Sequence, residues 1–229
     1  MIFTKYFCLK LLHLLLFVYW LGADIGVFYS ARFVRDRGLG LEARRVALRI
    51  LGWIDQIPRY CLVLMLPVGY SLAVTIGAAR LGGADFVLLW LASLLWLGLV
   101  WAVHHRTGTP IGQRLRSVDL VWRWLLVAGL LWDAGRGFIG AGHIVAPWLA
   151  FKFVIFALLI LCGIMIRLRG ASLGPAIREL LASGSAPELE AKVTSGFART
   201  RPFVLLIWAL LVVAAYVGIA KPMFGLAPS

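Results

Sequence analysis

Six apolar runs, each about as long as a bilayer is thick, constrain this chain more than any other feature. A helix needs about 20 mostly apolar residues to cross about 30 Å of hydrocarbon. Such runs occupy roughly Leu11–Ala31, Trp53–Ala78, Phe86–Val103, Leu120–Arg136, Trp148–Ile166 and Phe203–Ala220. None alternates with the period of a barrel strand, and helices are the other structure that satisfies its own backbone in lipid. The expectation is an all-α, polytopic membrane bundle of about six transmembrane helices, one domain over residues 1–229. Charged residues make up only 14% of the chain and hydrophobic ones 62%, where a soluble domain carries about 25% charge. A soluble enzyme, a disordered chain and a nucleic-acid module are thereby excluded, despite a formal net charge of +13.

That charge is a topology signal. Arg32, Arg35, Arg37, Arg44, Arg45 and Arg49 lie between the first two runs, Arg106, Arg114 and Arg116 between the third and fourth. Arg167, Arg169, Arg178, Lys192, Arg199 and Arg201 lie between the fifth and sixth. The opposite side holds only Lys5, Lys10, Arg80, Arg136 and Lys221. The positive-inside rule then places both termini outside, in a bacterial inner (cytoplasmic) membrane, with the basic loops attracted to anionic lipid. Lys5 and Lys10 resemble the start of a signal peptide, but the following run is long and carries His13 and Asp24, so it is expected to remain as a helix. Pro58 and Pro67 predict a distorted second helix. Residues 170–200 read as a cytoplasmic connector, with Ser185-Ala-Pro-Glu188 as a capping box opening a short helix to about Ser195. Cys8, Cys61 and Cys162 are odd in number and widely spaced, which indicates small apolar residues rather than a disulfide framework.

Ionisable groups at membrane depth cost about 2.5–3.5 kcal/mol each on insertion scales, which makes them functional candidates. His13, Trp20 and Asp24 stand at i, i+7 and i+11, on one stripe with Phe17 and Val27, so that face is expected to point into the bundle. Asp55/Arg59, Asp119/Arg123 and Asp133/Arg136 read first as intrahelical ion pairs. In depth, His13, Asp133, Arg136, His143 and Lys152 belong to the outer half, whereas His104 and His105 belong to the cytoplasmic end. His13 and His143 are therefore expected to share a site. An imidazole near Lys152 and Arg136 suits a haem, iron on histidine and propionates on the cations. A hydrogen-bonded packing histidine is the alternative reading of the same residues.

The residues around His13 carry a resemblance. Lys10-Leu-Leu-His13 through Trp20-Leu-Gly22 is similar to the opening helix of the HemJ-type protoporphyrinogen oxidases and their CopD-like membrane relatives. That helix starts with Lys-x-x-His and reaches a Trp seven residues later. Pro147-Trp-Leu-Ala-Phe-Lys152 resembles the family's Trp-Leu-His-Ala-Lys segment, and Arg201-Pro202 through Ala220-Lys221-Pro222 resembles its last helix. The resemblance covers about half the chain. It implies that His13 ligates haem b and that Lys152 is a functional cation. It departs from the family where a histidine gives way to Ala150 and an Asn-Glu to Arg199-Thr200. The second axial position is left to His143, to another side chain, or to nothing.

Three functions follow as expectations. The first is a b-type haem redox protein exchanging electrons with quinone or oxidising a porphyrin substrate, with His13 and His143 as metal ligands. Trp20, Arg136 and Lys152 would then line the cofactor, and Lys152 and Asp24 would serve catalysis. The second is a CopD-like copper permease, for which Cys61/Met65 and Cys162/Met165 offer soft ligands. The third is a membrane anchor whose basic loops dock a redox partner subunit.

Overall fold

The computed structural model describes residues 2–222. Eight helices follow one another: α1 (Ile2–Arg35), α2 (Leu41–Ile54), α3 (Gln56–Thr75), α4 (Gly83–His105), α5 (Pro110–Phe138), α6 (Pro147–Arg169), α7 (Leu173–Ser183) and α8 (Pro187–Ala220). There is no named strand among the described residues, only an isolated antiparallel bridge between Ala79 and Ile144. Five helical stretches are long and apolar enough to cross a membrane, containing α1, α2 with α3, α4, α6 and α8. The molecule is thus a multi-pass, all-α membrane bundle. The fourth apolar run forms a sixth long helix, α5, and two of its charged groups, Asp119 and Arg123, are buried against its neighbours.

The long helices close a ring in the order α1, α3, α4, α5, α6, α8 and back to α1. Side chains of α3 and α6 meet across it, where the Tyr70 and Phe153 rings pack edge to face at 5.1 Å. The outer surface is apolar, as lipid requires: Leu11, Leu14, Leu15, Val18 and Tyr19 of α1 are exposed while Leu16 and Trp20 are buried. Because lipid is as apolar as leucine, association in the membrane relies on close packing at small residues. Gly137 of α5 supplies one such point. A Cβ there would stand 2.9 Å from Ile144 and 3.2 Å from the Ala150 methyl, so any larger residue would force α5 and α6 apart.

α1 and α8 have 34 residues each, about 51 Å at 1.5 Å per residue, which exceeds a hydrocarbon core of about 30 Å by roughly two thirds. Their overhangs emerge together at the arginine-rich end. There Val34, Ile177, Leu180, Leu189 and Val193 form a second hydrophobic cluster, apart from the bundle core, roofed by the amphipathic α2 and α7.

Several expectations change. The connector contains α7, which the sequence reading did not resolve. The helix expected to stop near Ser195 instead continues through Pro202 to Ala220. Ser185 caps nothing: its hydroxyl donates to Glu190 at 2.7 Å, and Ala186 is the residue before the helix. The second run, expected as one helix kinked at its prolines, is instead broken at Asp55, between α2 and α3. Pro58 occupies the first turn of α3, where an N–H has no intrahelical partner to lose, and helical backbone continues through Pro67. Cys61 and Cys162 are buried but Cys8 is exposed.

Candidate functional site

The polar stripe of α1 does face inward. Trp20 is buried and meets Phe156 edge-on at 6.3 Å, and Asp24 accepts a hydrogen bond from the Trp208 indole at 3.1 Å. These two contacts tie α1 to α6 and α8. Trp20 is thereby a packing residue.

His13 lies against α3, where only a glycine leaves room. A Cβ on Gly69 would stand 3.3 Å from His13 Cε1. Its Nδ1 is shut off from solvent and has no hydrogen-bond partner. Lys152, one turn into α6, is close enough for its charge to act on this imidazole. It lies over Gly218 of α8, where a Cβ would stand 2.9 Å from Nζ. No ion pair or hydrogen bond of the Lys152 ammonium occurs among the described residues. An imidazole nitrogen without a hydrogen-bond partner and an ammonium without a carboxylate thus lie within electrostatic range of each other, each packed where its neighbour is a glycine. Tyr70, next to Gly69, extends the polar layer by donating to Asp133 at 2.6 Å.

The structure separates other residues that the sequence reading grouped here. His143 is exposed in the loop after α5, its Nδ1 3.2 Å from the Arg80 carbonyl oxygen and its own carbonyl accepting from Arg80 N at 2.7 Å. Arg80 lies beyond the end of α3, roughly two helical turns, about 10 Å, past Gly69. His143 is therefore not the partner of His13. Arg136 is exposed and packs on Gly142, and Asp133 pairs with Tyr70 rather than with Arg136. Asp24 stands eleven residues from His13, about 16 Å along α1, so Asp24 and Lys152 do not form one catalytic pair. The Asp55–Arg59 and Asp119–Arg123 pairs form as expected.

Asp119 does more than its spacing indicated. Its carboxylate meets Arg123 at 3.0 Å and Arg167 of α6 at 2.5 Å, and accepts from Trp96 Nε1 of α4 at 2.8 Å. One fully buried carboxylate thereby joins three helices. The sequence reading had counted Arg167 only toward topology. Tyr70 carried no signal of its own, since a tyrosine in an apolar run is commonplace.

Among the described residues, no group of three or more His, Cys, Asp or Glu side chains could hold a metal. Cys61, Met65 and Cys162 are buried within the apolar core. A scan against protein-family models and searches of curated proteins and of solved structures found no match. The fold and this site define a multi-pass helical membrane protein with an unpaired histidine–lysine site inside its bundle.

Proposed function

We propose that this chain is an integral-membrane redox protein that holds haem b through His13 and exchanges electrons with quinone or with a porphyrin substrate. The observation that carries the reading is an unpartnered His13 Nδ1 within electrostatic range of an unpaired Lys152 ammonium. Intramembrane polar groups left without partners are costly, and a ligand offering both a metal and a carboxylate would satisfy the two together. The donor set fits a porphyrin attached by one histidine. It does not fit the His13–His143 pair, because His143 is engaged with Arg80 elsewhere. In this reading His13 would hold the iron, Lys152 would neutralise a propionate, and the surrounding bundle would keep water out. Bound haem would supply one-electron redox chemistry, with its potential tuned by the axial ligand and by burial. The excess of arginine at one end supports an orientation with that end in the cytoplasm of a bacterial cell.

Protein purified from haem-replete cells is expected to show Soret and α-band absorption that sharpens on reduction. His13→Ala should abolish both bands. Lys152→Gln should keep the bands but weaken haem retention about tenfold, the loss of one charge-assisted contact. A colourless wild-type preparation, or unchanged bands in His13→Ala, overturns the proposal.

A further inference from the structure

The arginine-rich half of the bundle contains a cavity of about 570 Å³, within the ~300–1,000 Å³ range of small-molecule sites. It is distinct from the His13 site and lies at the opposite end of the α1 stripe. Five guanidinium groups line it, those of Arg35, Arg59, Arg116, Arg167 and Arg201, against two carboxylates, Asp24 and Asp55. Arg59 is paired with Asp55, and Arg167 with Asp119. Asp24 is occupied by the Trp208 indole. Arg35, Arg116 and Arg201 have no carboxylate partner among the described residues. Arg35 and Arg201 lie instead over aromatic faces, Phe197 at 5.5 Å and Phe28 at 5.8 Å, and Arg35 Nε donates to the Ala31 carbonyl at 3.1 Å, leaving its terminal nitrogens free of carboxylates.

A second, independent feature points to an occupant. Gln56 lines the same cavity, is only 8% exposed, and its Oε1 has no hydrogen-bond partner. Buried polar atoms are ordinarily satisfied. The rest of the wall is largely apolar, with Val27, Phe28, Val103, Ile166 and Val204. A neutral quinone would leave three guanidinium groups unmatched, and a simple inorganic anion would leave the apolar wall uncovered.

We propose that this cavity binds an amphiphile whose phosphate headgroup carries net negative charge, unlike the charge-cancelled headgroup of phosphatidylcholine. Its phosphate lies among Arg35, Arg116 and Arg201, and its apolar part lies against Val27, Phe28 and Val204. Arginine's planar fork matches phosphate oxygens two at a time, and basic pockets between membrane helices are suited to anionic headgroups. A bilayer lipid and a water-soluble phosphate ester share this chemistry.

The test uses the full chain in detergent, with binding read by native mass spectrometry. The probes are dioleoyl phosphatidic acid, dioleoyl phosphatidylcholine and glycerol 3-phosphate. Phosphatidic acid is expected to bind at least about tenfold more tightly than phosphatidylcholine, the difference made by a few charge-assisted contacts. Arg35→Gln/Arg201→Gln should erase that preference, whereas Arg106→Gln/Arg169→Gln, which changes charges outside the cavity lining, should keep it. Glycerol 3-phosphate binding as tightly as phosphatidic acid assigns the site to a soluble phosphate ester; much weaker binding assigns it to a bilayer lipid. Either result sustains the phosphate site.

Should the double variant fail to fold, Gly52→Leu keeps every arginine. Gly52 lines the cavity and a Cβ there meets nothing within 4 Å. The added side chain should obstruct the space and weaken phosphatidic acid binding about tenfold. Equal binding of the two lipids overturns the proposal. So does a preference that survives both cavity variants, or one lost equally in the control variant.

Discussion

Replacing Asp119 by Ala is expected to remove most folded protein from a detergent extract. The carboxylate is fully buried, and Arg123 is 3% exposed. Without Asp119, Arg123 and Arg167 face each other with no counter-charge, and Trp96 loses its acceptor. Removing one member of a buried ion pair costs about 3–5 kcal/mol, because the remaining charge stays desolvated. Here two charges remain, so the upper part of that range applies. Asp119→Asn retains an acceptor for Trp96 and should be less damaging. The informative comparison is Asp119→Leu/Arg123→Met/Arg167→Met, which removes all three charges. Apolar replacement of an entire buried ion network is often neutral or stabilising by about 1–4 kcal/mol, so this triple variant should recover much of the loss. Thermal unfolding followed by tryptophan fluorescence and size-exclusion chromatography measures the order. A single variant that melts with the wild type would show that the network contributes little.

The architecture was legible because lipid imposes one solution on an apolar run of bilayer length, and all six runs became long helices. The inward face of α1 was legible for a related reason. The Asp24 carboxylate needed a partner inside the bundle and found the Trp208 indole, while the Trp20 ring packed edge-on against Phe156. Pairs at i, i+4 succeeded where no better partner competed, as with Asp55–Arg59. Asp133 departed because Tyr70, on another helix, offered a hydrogen bond to its carboxylate. No spacing within α5 contains that information. His143 was misplaced by a similar limit: depth assigned it to the correct end of the bundle, but the backbone bridge between the loops of Arg80 and His143 holds it past the His13 layer. The cavity was least legible. Its arginines are scattered from Arg35 to Arg201 and converge only when α1, α3, α5, α6 and α8 assemble.

The arginine-rich platform should come apart independently of the bundle in Glu190→Ala. Glu190 is 2% exposed, as is Arg44, and the two form a forked pair at 2.6 and 3.0 Å. Arg44 also donates through Nε to the Val34 carbonyl at 2.9 Å, and Ser185 donates to Glu190. The Arg44–Glu190 pair, with Arg37 3.9 Å from the same carboxylate, therefore fastens α2 to the end of α1 and the start of α8. Loss of the carboxylate strands the Arg44 guanidinium among apolar side chains, at about 3–5 kcal/mol. The cluster around Ile177, Leu180 and Val193 is separate from the bundle core, so the damage should stay local. Hydrogen exchange is expected to accelerate across residues 41–54 and 173–183 while α3 and α6 keep their protection. Glu190→Gln, which keeps the shape and one acceptor, should fall between the two. Arg44→Lys should resemble the alanine variant more than the wild type, since an ammonium cannot engage both carboxylate oxygens and the Val34 carbonyl in the arginine's planar geometry. Uniform acceleration through α3 and α6 would show instead that the platform and the bundle unfold as one unit.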